Sequence, residues 1–415
     1  SIYSVVDGLF VSNFVGKNAF AAVNLIMPFL MGISALGFMI GTGGSAIVAK
    51  TLGEGKTEKA NEYFSMLVYI TAIGGIIIAI LSMFLVKPVA ILFGASGALL
   101  DNCILYGRIL CISLPAFMLQ NVFQSFFVTA EKPHLGLRVI VIAGVTNMVL
   151  DFLFVAVLHF GLPGAGFATV CGEFIGGLFP LFYFGRKNSS LLKLGNTHFH
   201  GRILLKTCAN GSSELMTNLS SSIVNALYNM QLMKFAGEDG VAAYGTIMYV
   251  NFIFVSIFLG YAIGSAPIVS YHYGANNQDE LKNLFLKSIR LIGTWAVSLF
   301  VIAQLIATPL ATLFVGYDHG LFELTRNGFR LYSFAFLING FNIYGSAFFT
   351  ALNNGLLSAL ISFLRTLVFQ MAIVLLLPLI LGINGVWCSV AIAELLTLCV
   401  TGTFIIRKRS TYHYF

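Results

Sequence analysis

Long apolar runs separated by short polar or glycine-bearing turns cover this chain from one end to the other. A run of about 20 residues, each rising about 1.5 Å, is what an α-helix needs to cross the ~30 Å hydrocarbon core of a bilayer. The pattern therefore predicts membrane helices near 20–48, 61–86, 102–129, 136–159 and 165–185. After a polar stretch it resumes near 204–235, 240–270, 281–313, 321–351, 356–380 and 385–406. Residues Ser1–Phe14, ahead of the Gly16-Lys17-Asn18 turn, form one more, shortened helix. The expected fold is all-α: a polytopic membrane protein with twelve transmembrane helices in two pseudo-symmetric six-helix bundles. The expected divisions are an amino-terminal lobe over 1–187, a cytoplasmic linker over 188–203 and a carboxy-terminal lobe over 204–415.

The two bundles share a register. Displaced by 221 residues, the chain aligns on itself over long stretches without a gap. Gly16, Ala21, Ala22, Ile26 and Met27 fall on Gly237, Ala242, Ala243, Ile247 and Met248. Gly107, Asn121 and Thr129 fall on Gly328, Asn342 and Thr350, and the turn Gly161-x-x-Gly164 falls on Gly382-x-x-Gly385. Six helices is an even number, so both halves enter the membrane from the same side. Parallel repeats of this kind are a transporter plan, with the substrate path expected between the lobes. In this register Ser1 matches Ser222, so the first helix is expected to lack its first turns here.

Composition agrees with a membrane setting. The chain is 58% hydrophobic and 9% charged, where soluble domains carry about 25% charged residues. The net charge of +7 is a matter of topology, with no nucleic-acid partner implied. Placing the linker in the cytoplasm puts 16 of the 23 basic residues on that side, among them Lys50, Lys56, Lys132, Arg186, Lys187, Lys282 and Arg407-Lys408-Arg409. The positive-inside rule then places the carboxyl terminus in the cytoplasm. Six cysteines without metal-like spacing read as small apolar fillers.

Acids within the apolar runs are few: Asp7, Asp151, Glu173, Glu214 and Glu394. Ionisable groups at such depth are expensive, and they usually mark ion or substrate pathways. Asn147 and Asp151 lie four residues apart, hence on one helix face, and Thr169 follows on the returning helix. Their oxygens suit a proton or a hard cation such as Na⁺. Counted from the nearest turn, Asp7 and Asp151 lie ~13–15 Å deep but Thr169 only ~8 Å, so the fifth helix must bend or climb unevenly for the three to meet.

Glu173 and Glu394 occupy equivalent places in the two halves, which fits either paired lobe-lining acids or a shared helix-packing hydrogen bond. Glu214, in the weakly apolar stretch GSSELMTNLSSS, either lines the second lobe's cavity or packs against a helix. The register partners of Asp7, Asn147, Asp151 and Thr169 are Tyr228, Val368, Ala372 and Val390. Charge was kept in one half only, so cation coupling is expected in the first lobe. The second lobe offers Tyr228, Met230, Tyr249 and Phe252, which either contact an organic cation through aromatic faces and soft sulfur or are ordinary core and lipid-facing residues. No catalytic set such as HExxH is present, and all seven His fall in loops, tails or helix ends, so no enzyme is expected.

Several segments together resemble the multidrug and toxic compound extrusion (MATE) transporters. They are VVDGLFVSNFVG (Val5–Gly16), IGTGGSAIVAKTLGEGKTEKA (Ile40–Ala60), NMVLDFLFVAVLHFGLPGAGFATV (Asn147–Val170), AIGSAPIVSYHYGANN (Ala262–Asn277) and INGVW (Ile383–Trp387). The resemblance implies a twelve-helix, two-lobe antiporter of the plasma membrane. It would export cationic, often amphipathic organic compounds in exchange for H⁺ or Na⁺, without a cofactor and as a monomer. It carries the coupling site onto Asp7, Asn147, Asp151 and Thr169, and puts the family's helix-bending proline before Ser1. Some members also carry acids in helices 7 and 10; here the helix-7 position is Ser221, and helix 10 has only Glu323 at its outer end. The alternative is a flippase for lipid-linked precursors, which needs basic residues in the cavity; here only Arg365 is a candidate.

Overall fold

The computed structural model describes Asp7 and residues 10–316 and 318–414. The chain divides into two compact units, Ser1–Gly211 and Ser212–Phe415. Among the described residues every regular element is helical. The first helix (α1) is described at Asp7 and Phe10 and closes in a π-turn at Val11–Val15. Then follow α2 (Lys17–Gly53), α3 (Thr57–Leu92), α4 (Gly97–Thr129), α5 (Pro133–Val157) and α6 (Gly161–Gly185). A continuous stretch, Gly201–Gly274, breaks at Gly237 into α7 (201–236) and α8 (238–274). The chain ends with α9 (Gln278–Val315), α10 (His319–Ala351), α11 (Gly355–Leu381) and α12 (Ile383–Tyr412). Ten of these, all but α1 and α7, are long and apolar enough to cross a membrane among the described residues. With α1 and α7 they follow the order of the expected segments. Several run longer than hydropathy suggests, because a helix goes on hydrogen-bonding past the depth at which its side chains turn polar.

The backbone repeats the 221-residue register. Gly16, Gly55 and Gly161 have φ of 118°, 76° and 64°, and their partners Gly237, Asn276 and Gly382 have 60°, 53° and 58°. Positive φ is open to Gly and tolerated by Asn, so the turns of both halves are set at the same places. α4 and α10, which occupy equivalent places in the two halves, are the central posts: 61% and 72% of their apolar windows are buried, against 17–39% for the other spans.

Helix α9 shows how the outer helices are placed. Its buried positions recur every third or fourth residue from Leu281 to Val315, one stripe of a 3.6-residue helix. In the first unit, close helix contact rests on small residues. A Cβ on Gly177 would stand 2.2 Å from Ala116 O, and one on Gly211 would stand 1.9 Å from Met39 O. The second contact carries the start of α7 against α2, which is why the first unit extends to Gly211.

The segment between α6 and α7 is extended and bound along α3. Lys193 N donates to Asn61 Oδ1 (2.7 Å), Gly195 N to Ser65 Oγ (3.0 Å) and Thr197 Oγ1 to Glu62 O (2.8 Å). His200 Nε2 lies 3.0 Å from Glu62 Oε1. Under it, Phe64, Phe123, Phe126 and Phe184 form an aromatic cluster, with Phe123 and Phe184 stacked at 5.7 Å. A separate apolar cluster around Ile26, Tyr106, Val155 and Leu162 lies nearer the acids of the first unit.

Candidate functional site

Asp151 is the last residue of regular α-helix in α5; from Phe152 to Val157 the helix widens to π. A π segment puts an extra residue into each turn and so climbs less per residue. That is the uneven climb needed to bring α5 level with Thr169. Asn147 Nδ2 donates to Thr169 Oγ1 at 3.4 Å, and the Thr169 hydroxyl donates onward to Ala165 O at 3.2 Å. The four expected residues do converge in the first unit. Asp7, Asn147 and Asp151 are 5%, 3% and 0% exposed, and the carboxyls of Asp7 and Asp151 face one another within hydrogen-bonding reach.

The cluster is rich in acceptors and poor in donors. Asp7 Oδ1, Asn147 Oδ1 and both oxygens of Asp151 meet no protein donor among the described residues. Buried polar atoms are normally matched by a partner. Two abutting carboxyls, an amide oxygen and a threonine hydroxyl are the right set for a proton or a small hard cation.

Tyr106, on α4, belongs to this cluster and was not expected there. It is fully buried, and its charge environment is made by Asp7, Asp151 and Glu173. Its hydroxyl comes up to Thr169 without forming a well-aligned hydrogen bond. The available signal was a polar-tipped aromatic midway along an apolar helix, since a buried Tyr hydroxyl usually seeks a partner. Glu173, one turn beyond Thr169 on α6, lines a narrow cleft with Met27, Leu30, Met31, Leu110, Leu114 and Phe117.

The second unit is built differently. Glu394, 2% exposed, accepts from Arg365 Nε at 2.8 and 3.0 Å and from Asn342 Nδ2 at 2.7 Å. The Asn339 amide adds a donor 3.0 Å from Glu394 Oε1. Glu394 is therefore closed into an ion pair, and Arg365 sits within a π segment, Leu364–Phe369. Glu214 is half-buried in the field of the same Arg365.

The aromatic and Met positions expected to meet a ligand do not gather in one place. Tyr228 is shut into the core, its hydroxyl donating to Gln370 Oε1 at 2.9 Å and its ring stacked on Tyr244 at 5.5 Å. Met230, Tyr249 and Phe252 are half-exposed, and Tyr249 stacks on Phe314. Side-chain pattern alone could not separate these two fates. At the start of α10, Glu323 pairs with Arg326.

A duplicated bundle of membrane-crossing helices with a pair of buried acids unmatched by any described basic side chain inside one half is the build of a membrane transporter. The MatE family model matches residues 1–153 and 215–396, and the chain belongs to that family. It is similar to the multidrug export protein MepA of Staphylococcus saprophyticus, at 21% identity over 98% of this chain and 90% of that protein. It is also similar to a FAD transporter of Shewanella oneidensis, at 20% identity over 75% of this chain and 70% of the relative. Among solved structures, a MATE protein in complex with MaL6 superimposes with a TM-score of 0.94 at 24% identity, covering 100% of this chain and 93% of that one. A MOP superfamily transporter from Pyrococcus furiosus, whose binding pocket is described as reversed in polarity and suggestive of a different function, superimposes at 0.92 with 24% identity, covering 99% and 92%.

Proposed function

We propose that this transporter exports cationic, amphipathic organic compounds in exchange for H⁺ or Na⁺ by alternating access, with the coupling ion held by Asp7, Asn147, Asp151 and Thr169. The observation that carries this is the pair of abutting, buried carboxyls. Two unit charges ~4 Å apart at an effective dielectric of ~20 repel by about 4 kcal/mol. One proton or one Na⁺ between them removes that repulsion, so the site exchanges one cation for another.

Loading from outside neutralises the pair, favours rearrangement of α1 at its π-turn and releases the organic cation. An inward-open state then reloads from the cytoplasm. No cofactor beyond the coupling ion is required, and the unit of function is a monomer. The protein lies in the plasma membrane with its carboxyl terminus in the cytoplasm, in line with the distribution of basic residues. The relatives differ in cargo, multidrug export in one and FAD in another. The acidic lining of the first unit is what favours a cationic cargo here.

The alternative, a flippase for lipid-linked precursors, needs a free cation in the cavity to hold pyrophosphate. Arg365 is already bound to Glu394, which disfavours that reading. The test is efflux of a fluorescent organic cation from proteoliposomes, with pH and Na⁺ gradients imposed separately. Asp151→Asn should abolish gradient-driven efflux at unchanged expression. Undiminished export by that variant would sink the proposal.

A further inference from the structure

Arg108, on α4, and Arg365, on α11, are treated in opposite ways. Arg365 is closed on Glu394 by two hydrogen bonds from its Nε. Arg108 forms no ion pair among the described residues. Its Nε donates to the Met83 carbonyl of α3 at 3.4 Å. A guanidinium carries five N–H donors, so both terminal nitrogens of Arg108 are left without a protein acceptor. An unmatched cation on a membrane-crossing helix is costly and calls for an anionic partner.

The surroundings of Arg108 say what that partner is. From Asp101 to its end, α4 exposes four residues, Asp101, Leu105, Arg108 and Ile112. The spacing of four, three and four is one stripe of a helix. Tyr106, the α4 residue that reaches the acid cluster, stands two residues away and so ~200° round the helix. The stripe therefore lies on the side of α4 turned away from that cluster. With Met83 it lines an open groove of about 400 Å³, whose other walls are Ile104 and Ile109. Asp101 stands seven residues before Arg108, ~10 Å nearer the end of the helix at the membrane surface. Both charges line the same groove, and they do not pair with each other. Displaced by 221 residues they become Phe322 and Phe329, so the charged stripe belongs to the first unit only.

We infer that this groove binds a zwitterionic phospholipid of the phosphatidylethanolamine type, with its phosphate on Arg108 and its ammonium on Asp101. In such a lipid the phosphate lies nearer the hydrocarbon and the ammonium nearer the water, the order in which the two side chains stand along α4. Arginine presents a planar fork that matches phosphate oxygens. A carboxylate beside it selects a headgroup that ends in a cation over one that ends in hydroxyls. Ile104, Leu105, Ile109 and Ile112 offer apolar contact to the glycerol and the first chain atoms. The site is independent of the cargo: it lies away from the acid cluster, and its lipid is a resident partner of the α3–α4 surface.

The test is native mass spectrometry of the purified full-length transporter, delipidated in detergent and titrated with phosphatidylethanolamine or phosphatidylglycerol of the same chains. The wild type should bind its first phosphatidylethanolamine at least fivefold more tightly than phosphatidylglycerol. Arg108→Gln should weaken that binding at least fivefold, and Asp101→Asn should remove the preference between the two lipids. Equal binding by wild type and Arg108→Gln would overturn the inference. So would a wild type that prefers phosphatidylglycerol, or a preference that survives Asp101→Asn.

Should the variants fail size-exclusion chromatography, the wild-type protein decides the matter. Phosphatidylethanolamine carrying a diazirine beside the glycerol, added in lipid nanodiscs and read by peptide mass spectrometry, should label Met83 or residues 104–112. Excess inorganic phosphate should not displace it. Labelling confined to other spans, or displacement by phosphate, would overturn the inference.

Discussion

Replacing Arg365 by Met keeps an apolar stem of similar length and removes the charge that neutralises Glu394. The ion pair is 15% and 3% exposed at the side chains, with Nε 2.8 Å from Oε1, so water screens it little. Charge centres ~4 Å apart at an effective dielectric of ~20 attract by about 4 kcal/mol. Removing one partner of a buried pair is measured to cost about 3–5 kcal/mol, because the remaining charge is left uncompensated. The two figures agree, and for a unit of this size they correspond to roughly a 10 °C fall in the melting midpoint.

The assay is thermal melting of detergent-solubilised protein followed by size-exclusion chromatography, at one scan rate, since such unfolding is often irreversible. Glu394→Gln alone should be destabilised too. The double variant Arg365→Met/Glu394→Gln should recover most of the loss, with a coupling energy of at least ~2 kcal/mol, because a neutral pair in a packed interior is tolerated well. An Arg365→Met protein as stable as wild type, or a double variant no better than the sum of the singles, would refute the picture of a self-neutralised second unit.

Other outcomes follow from the packing and from the acid cluster. Gly43→Ala should destabilise by about 1–3 kcal/mol, because its Cβ would stand 2.1 Å from the Thr207 carbonyl oxygen and helix backbones cannot easily part. Its register partner Gly264 has open space around the same point, so Gly264→Ala should be neutral or gain up to ~1 kcal/mol of helix propensity; paired melting curves with the same loss at both sites would contradict this. Tyr106→Phe removes only a hydroxyl without a well-formed hydrogen bond, so stability should stay within ~1 kcal/mol while ion-driven efflux in proteoliposomes falls severalfold. Unchanged efflux would return Tyr106 to the role of core filler.

The linear pattern was enough to give the helices, their order, the duplication and which acids fall within apolar runs. These are local or periodic properties: an apolar run has a length, a repeat has an offset, and Asn147 and Asp151 share a face wherever α5 happens to pack. What lies across from each side chain is a different matter. Asp7 and Asp151 are 144 residues apart, and their meeting depends on how α1 seats against α5 and on the π segment that lets Asn147 reach Thr169. Tyr106 came into the site only because α4 is the post around which the first unit packs. Glu173 and Glu394 look alike along the chain, yet one is closed by a guanidinium from a neighbouring helix and the other is open, since Arg365 has a glycine for its register partner. Tyr228 carried the same aromatic signal as Tyr249, and only packing decided that one ring is sealed by Tyr244 while the other lies on an exposed face. Electrostatic neutralisation acts through space, so tertiary structure alone could assign each acid its partner.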